Sequence, residues 1–134
     1  MRPSCDTSVL VPAFLPFHER HRQALRGLGG AELDLPAHVL LETYSVLTRL
    51  PAPHRMAPAA VLAALQRVTG STLTLPGDGH LETVVALAAA GITGGAVYDG
   101  LVGMTAREHD RTLLTLDRRA LPAYEAVGVR VRLL

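Results

Sequence analysis

The chain alternates short apolar segments with longer amphipathic ones, and glycines or prolines separate most of them. Short apolar segments bounded by turn residues predict strands, whereas longer segments with helical periodicity predict helices. A helix between two strands makes a crossover connection, so we expect parallel strands covered by helices on both faces. The predicted fold class is therefore α/β, a three-layer α/β/α sandwich with a mostly parallel sheet of about five strands.

The individual segments follow one another with short breaks. Strands are predicted at 3–6, Glu32–Leu35, Ser71–Leu75, Thr112–Leu116 and Val129–Leu133, and helices at Thr7–Ala13, Phe17–Leu28, His38–Leu50, Pro58–Val68, Gly79–Ala90 and Ala96–His109. Because no linker, repeat or low-complexity tract interrupts the series, we expect residues 1–134 to form a single domain.

Several features favour a cytoplasmic protein without a membrane segment. The longest apolar run, Val84–Ile92, is about half of the ~20 residues that a membrane-spanning helix needs. Asp6 and two early prolines interrupt the apolar start of the chain, which is unlike a signal peptide. The single cysteine, Cys5, has no partner for an internal disulfide, as is usual in the reducing cytosol.

The basic residues exclude several classes of enzyme. All 13 are arginines, and the formal net charge is +1. A P-loop needs a lysine on its phosphates, and Schiff-base enzymes need a lysine amine, so neither chemistry is available to this chain. The small net charge also provides no strong overall field for attracting a nucleic acid.

Acidic residues occupy three places where a parallel sheet collects its ligands. Asp6 and Asp117 each follow a predicted strand, although an aspartate in that position is equally common as a helix N-cap. Asp99 shares a helix face with Gly100 and Gly103, which indicates close approach to another backbone and partial burial of the carboxylate. The alternative for Asp99 is a solvated position in the first helical turn, where the helix dipole stabilises it.

A fourth acid, Glu42, lies at the edge of the apolar arc of its predicted helix. Helical geometry alone favours an exposed side chain there. Considered together, however, carboxylates that converge at strand ends in a chain without lysine indicate a site for a hard cation. Ligation by oxygen atoms alone suits Mg²⁺ or Mn²⁺.

Four motifs resemble those of PIN-domain ribonucleases of the VapC toxin type, and the resemblance extends over nearly the whole chain. They are the opening Asp6-Thr7-Ser8-Val9-Leu10, the helical Glu42-Thr-Tyr-Ser-Val-Leu-Thr-Arg49, the Tyr98-Asp99-Gly100-Leu101-Val102-Gly103 helix start, and the closing Leu113-Leu-Thr-Leu-Asp117. The chain departs from the family in its polar first strand and in the glycines at positions 100 and 103, where alanines are commoner.

The resemblance implies metal-dependent hydrolysis of RNA phosphodiester bonds by an endoribonuclease. Asp6, Asp99 and Asp117 would bind Mg²⁺ or Mn²⁺ directly or through water, and Glu42 would bind metal or help to activate the attacking water. Thr7 and Thr115 would orient these carboxylates. The family also implies a small VapB-type antitoxin as partner, a homodimer, and an RNA substrate.

Other features of the sequence leave alternatives open. Arg107, Arg111, Arg118 and Arg119 lie near the acids in the sequence and either hold RNA phosphates or solubilise the surface. The low aromatic content (4%) disfavours an RNA-binding sheet of stacking side chains. The pair His18 and His21 has zinc-like spacing but no third ligand. A non-catalytic PIN-like module for RNA binding or protein interaction remains the alternative to an enzyme.

Overall fold

The computed structural model describes residues 1–134 and confirms the predicted α/β class. The strands are β1 (Ser4–Cys5), β2 (Leu33–Pro36), β3 (Thr69–Leu73), β4 (Leu113–Thr115) and β5 (Val131–Leu133). The helices are α1 (Thr7–Phe14), α2 (His21–Leu28), α3 (Ala37–Thr48), α4 (Pro58–Val68), α5 (Gly79–Ala89), α6 (Ala96–Glu108) and α7 (Leu121–Val127). None of these helices combines the length and hydropathy required to cross a membrane.

All the strand pairings are parallel. β1 pairs with β4 and β4 with β5, while β2 pairs with β3. The backbone N–H of Asp34 donates to the carbonyl of Pro3 at 2.9 Å and links the two sets. The strand order is therefore β3-β2-β1-β4-β5, and the direction of chain progression reverses between β1 and β4. The carboxyl ends of these two strands border the crevice where open α/β sheets bind their ligands.

The central strands are buried on both faces, as expected for a sheet between two helical layers. Consecutive residues of a strand point to opposite faces. Ser4 and Cys5 of β1 are both fully buried, and Leu113, Leu114 and Thr115 of β4 are at most 4% exposed. Helices therefore cover both faces at the point where the candidate acids follow the strands.

Helix α7 was missed by the sequence analysis, which assigned no element between 117 and 128. A 3₁₀ turn at Arg118–Ala120 leads into α7, which ends at Gly128 in the left-handed conformation. The segment is short and has Pro122 near its start, a residue that the first turn of a helix tolerates because its N–H would be unpaired there. Its buried side chains include Ala123, Tyr124 and Val127.

The bounds of two predicted elements were also wrong. The helix predicted from Phe17 begins at His21, because the ring Nδ1 of His18 accepts the backbone N–H of Arg20 at 3.0 Å and holds a turn instead. The strand predicted at Ser71–Leu75 begins at Thr69, directly after α4, and is paired on β2. Most of β3 is exposed, so burial does not fix its register as firmly as in the central strands.

The two glycines of α6 allow close packing, although not against another backbone as expected. A Cβ atom on Gly100 would lie 2.7 Å from the side chain of Leu87 in α5. A Cβ atom on Gly103 would lie 2.9 Å from both the ring of Tyr124 and Val127 in α7. The missing side chains therefore let α6 approach the helices on either side of it, which fixes the position of the first turn that carries Asp99.

Candidate active site

Four carboxylates from four different elements surround the carboxyl edge of the sheet. Asp6 follows β1, and Asp117 lies two residues beyond β4, the strand that pairs with β1. Asp99 lies in the first turn of α6, and Glu42 is on α3. Burial raises the pKa of Asp99, and the negative charges of the other three acids all raise it further. The structure thus brings together the four acids that the sequence motifs had singled out.

Asp6 is buried and held by four hydrogen bonds. Its Oδ1 accepts the backbone N–H and the hydroxyl of Ser8, at 3.0 and 2.5 Å. Its Oδ2 accepts the hydroxyls of Thr115, at 2.5 Å, and Tyr124, at 2.6 Å. Burial raises the pKa of Asp6, and these hydrogen bonds oppose the shift because they stabilise the charged form. The carboxylate is therefore fixed in one orientation at the end of β1.

One of the two side chains expected to orient Asp6 is not the one that does so. Thr7, predicted for this role, has a buried hydroxyl without a hydrogen-bond partner. Ser8 takes its place, because Asp6 is also the N-cap of α1 and an N-cap oxygen accepts the N–H two residues later. The Ser8 hydroxyl in addition accepts the backbone N–H of Leu116 at 2.9 Å, which ties α1 to the end of β4.

Thr115 is the other side chain that was expected to orient the acids. Besides donating to Asp6, its hydroxyl oxygen accepts the backbone N–H of Asp117 at 3.0 Å. A single buried side chain thus connects the two strand-end acids. This contact follows from the parallel pairing of β1 and β4, which sets their carboxyl ends side by side.

Tyr124 is the contact that sequence reasoning missed entirely. The side chain comes from α7, is 1% exposed, and places its hydroxyl on the buried oxygen of Asp6. Burial raises the pKa of the Tyr124 hydroxyl, and the neighbouring negative charge of Asp6 raises it further, so the group stays a proton donor. The available signal was a tyrosine among apolar residues with a single glutamate beside it, since a buried phenol needs a hydrogen-bond partner.

Asp99 is a partly buried acid whose pKa lies well above the usual value for an aspartate. Desolvation and, after it, repulsion from Asp6, Asp117 and Glu42 together raise its pKa from 3.8 to about 6. The nearby His38 opposes it. The side chain is half-buried, which confirms the expectation of partial burial and excludes a fully solvated position in the first helical turn.

Asp117 and Glu42 are more open to solvent than the other two acids. The Asp117 side chain is 32% exposed and accepts the backbone N–H of Arg119 at 2.9 Å, as the N-cap of the 3₁₀ turn. The Glu42 side chain is 41% exposed and lies 3.3 Å from the Nε2 atom of His38. The sequence left Glu42 either exposed on its helix or part of the acidic site. The structure shows both features, because the side chain is exposed in part and its charge still acts on Asp99.

The four arginines considered for phosphate binding divide between the two edges of the sheet. Arg118 and Arg119 are exposed beside Asp117. Arg107, by contrast, donates to the carbonyl of Val127, and Arg111 pairs with the buried Asp34 at 3.0 Å. Arg107 and Arg111 therefore lie toward the amino ends of the strands. Their nearness to the acids in the sequence does not place them beside the acids in the structure.

The two histidines with zinc-like spacing are engaged in backbone contacts. His18 caps the turn before α2 through the N–H of Arg20, and the Nδ1 atom of His21 lies 2.8 Å from the carbonyl of Pro12. These contacts give both rings a structural role, and His18 lies in the turn before α2, so the two side chains do not share a helix face.

The side chains at this edge of the sheet fit a hard divalent cation in their chemistry and in their charge. All four candidate ligands are carboxylates, the donors that Mg²⁺ and Mn²⁺ prefer, and their mutual repulsion is the kind that a bound cation offsets. The side chains as they stand do not form a closed group of three or more ligands. Both oxygens of Asp6 are engaged by protein hydroxyls, whereas Asp99, Asp117 and Glu42 are partly exposed and have room to turn toward an ion.

Comparison with known proteins identifies the family. The PIN domain model matches residues 5–126. Ribonuclease VapC40 from Mycobacterium tuberculosis is 49% identical over 129 residues, which is 96% of each chain, and Ribonuclease VapC27 from the same species is 42% identical over 135 residues, 98% of this chain and 97% of the relative.

Among solved structures, VapBC2 from Rickettsia felis bound to a DNA fragment from their promoter is similar with a TM-score of 0.70. That chain is 14% identical, and the match covers 100% of this chain and 99% of the other, so it shows a shared fold. The matched residues include all four carboxylates at the edge of the sheet. The chain belongs to the PIN-domain family and, within it, to the VapC ribonucleases of toxin–antitoxin systems.

Proposed function

We propose that the chain is a metal-dependent endoribonuclease that hydrolyses RNA phosphodiester bonds as the toxin of a toxin–antitoxin pair. The observation that carries the proposal is the convergence of Asp6, Glu42, Asp99 and Asp117 at the ligand-binding edge of a parallel sheet. Two relatives that are named ribonucleases share 42% and 49% of their residues with it over nearly their full length.

Each acid has a distinct part in the proposal. Asp6, Asp99 and Asp117 would hold Mg²⁺ or Mn²⁺, and Glu42 would join them or accept a proton from the attacking water. When bound, the metal supplies a water of lowered pKa and offsets charge on the phosphate oxygens. Thr115, Ser8 and Tyr124 keep the Asp6 carboxylate in one orientation, so this one acid is positioned before a metal or substrate arrives.

The exposed side chains beside this edge are suited to RNA phosphates. Arg118 and Arg119 follow Asp117 directly, and the Arg119 side chain is 95% exposed. We propose that these two guanidinium groups offset the charge of the incoming strand, since acids alone would repel it.

A protein partner and a second copy of the chain are also part of the proposal. The likeness to VapBC2, a toxin–antitoxin structure bound to promoter DNA, supports a VapB-type antitoxin for this chain. Large exposed apolar side chains on α3, α4 and α5, among them Leu41, Leu62 and Val85, are available for a partner and for a homodimer. RNA as the substrate places the action of the protein in the cytoplasm.

The proposal is tested by single-turnover cleavage of a mixed pool of RNAs with Mg²⁺, with Mn²⁺ and with EDTA. Cleavage by the wild type is expected only with metal, and Asp99→Asn should abolish it, because the change removes a ligand charge and keeps the shape. Asp110→Asn is the matched control, since Asp110 is exposed and bonds to Arg130 away from the site. If the wild type binds RNA and does not cut it under any metal condition, the chain is a non-catalytic RNA-binding module instead.

A further inference from the structure

Tyr98 is an exposed aromatic side chain directly beside a candidate catalytic acid. It is 56% exposed, in a chain that has three tyrosines, two phenylalanines and no tryptophan. Its neighbour in the sequence is Asp99, which lies among the other three acids. His38 links Tyr98 to these acids, because its ring stacks on Tyr98, its Nε2 atom lies 3.3 Å from Glu42, and its charge acts on Asp99.

The Tyr98 ring is supported from one side by His38. The two rings are stacked almost parallel, with an interplanar angle of 5° and centroids 5.4 Å apart. His38 is in turn placed 3.3 Å from Glu42, one helical turn further along α3. This pair of rings therefore bridges the helices that carry Asp99 and Glu42, and it leaves more than half of Tyr98 open to solvent.

An exposed tyrosine elsewhere in the chain has a different environment. Tyr44, which is 39% exposed, lies on α3 in a groove lined mainly by apolar side chains such as Leu41 and Leu62. That environment suits a protein contact, whereas Tyr98 stacks on a histidine that itself pairs with Glu42. Burying Tyr98 under an apolar partner would desolvate the neighbouring acids at a cost. A better ligand for Tyr98 has a flat group that stacks on the ring and a charged group that extends toward the acids.

We propose that Tyr98, supported by His38, stacks against a nucleobase of single-stranded RNA and so positions the adjacent phosphate over the four carboxylates. The inference rests on the proposed ribonuclease function and deepens it, because it assigns a residue to substrate positioning. Base–aromatic stacking tolerates any base and supplies affinity that acidic side chains do not provide. Unpaired bases are required, so the substrate is a loop or another single-stranded segment.

The kinetic test compares substitutions at Tyr98 with the same substitutions at Tyr44. Tyr98→Leu should raise KM for a single-stranded RNA about 5- to 150-fold, the range expected for one lost stacking contact, and change kcat less than about threefold. Tyr98→Phe and Tyr98→Trp keep an aromatic face and should retain the wild-type KM. Tyr44→Leu should leave both constants unchanged. Melting temperatures of all the variants show whether any of them has lost its fold.

A direct readout uses the absence of tryptophan from the natural chain. Tyr98→Trp introduces a single tryptophan, which can be excited apart from the tyrosines. Its emission should be quenched within the mixing time when RNA is added in Mg²⁺, before product forms. An oligonucleotide of equal length without bases should not quench it, because its phosphates remain and its stacking surface is gone. Tyr44→Trp should respond to neither ligand.

Several results would overturn the inference. An unchanged KM for Tyr98→Leu, or equal quenching by the RNA and the abasic strand, removes Tyr98 from substrate positioning while wild-type cleavage leaves the ribonuclease proposal intact. If the fluorescence of Tyr98→Trp changes with protein concentration and not with RNA, the ring lies in a contact between copies of the chain. Wild-type protein that neither binds nor cuts RNA overturns both proposals together.

Discussion

Replacing Asp99 with asparagine is expected to stabilise the protein when no metal is bound. Burial and the neighbouring carboxylates raise the pKa of Asp99 from 3.8 to about 6, so the native state holds this proton more tightly than the unfolded chain does. The free energy of unfolding therefore falls as the pH rises through that interval. The shift corresponds to about 3 kcal/mol at about 1.36 kcal/mol per pKa unit.

Two effects reduce the gain that should be measured. Solvent screening of a half-buried carboxylate lowers the value to about 1–2 kcal/mol, and asparagine loses about 0.5 kcal/mol of attraction to the start of α6. We expect Asp99→Asn to gain about 1 kcal/mol near pH 7.5 and almost nothing near pH 4.5, where the wild-type side chain is protonated in the native state. Urea unfolding in EDTA at both pH values measures the difference.

The control for this prediction is Asp110→Asn. Asp110 is 76% exposed, pairs with Arg130, and has a positive φ of 54° that asparagine tolerates well. Its substitution should change stability by less than about 0.5 kcal/mol at either pH. Adding millimolar Mn²⁺ should stabilise the wild type and should stabilise Asp99→Asn much less, because one ligand is missing. A loss of stability in Asp99→Asn near pH 7.5, or the same gain at both pH values, would refute the repulsion argument.

Three further substitutions test other parts of the site. Glu42→Gln should raise the unfolding free energy of the metal-free protein, because it relieves repulsion on Asp99, and should slow RNA cleavage about 10²-fold or more; an unchanged cleavage rate would place Glu42 outside the site. Tyr124→Phe removes a hydrogen bond to a buried carboxylate and should lower the unfolding free energy near pH 7.5 by about 1.5–3 kcal/mol in urea titrations. An unchanged unfolding free energy would contradict the bond to Asp6. Gly103→Ala places a methyl group against Tyr124 and Val127 and should cost about 1–3 kcal/mol in the same assay, with a stabilising effect as the contrary result.

The parts of the site that sequence alone predicted are those that follow from strand ends. Asp6 and Asp117 each follow an apolar strand, and parallel neighbours bring their carboxyl ends to one edge, so their proximity needed no coordinates. The role of Thr115 came from the family resemblance, and the pairing of β1 with β4 explains how its hydroxyl reaches both acids. The prediction that Asp99 is partly buried depended on the two glycines of its helix. These glycines correctly indicated close packing, although the neighbours are side chains and not another backbone.

The parts that sequence could not supply depend on contacts between distant segments. Tyr124 reaches Asp6 across 118 positions of the chain and belongs to a helix too short for its periodicity to be recognised. Ser8 replaced Thr7 because the N-cap geometry at Asp6 selects the residue two positions later. Nearness in sequence was misleading for Arg107. It lies eight residues after Asp99 on α6, and at about 1.5 Å per residue the helix carries it about 12 Å toward the other edge of the sheet.

The central claim, that four carboxylates at one edge of the sheet hold the catalytic metal, is tested most directly by locating a bound ion. Crystals grown with Mn²⁺ should show anomalous density about 2.0–2.5 Å from carboxylate oxygens of at least two of Asp6, Asp99 and Asp117. Crystals of Asp99→Asn under the same conditions should show much weaker density at that position. The claim would be contradicted if, at saturating Mn²⁺, the ion bound elsewhere on the chain or no anomalous density appeared at this edge.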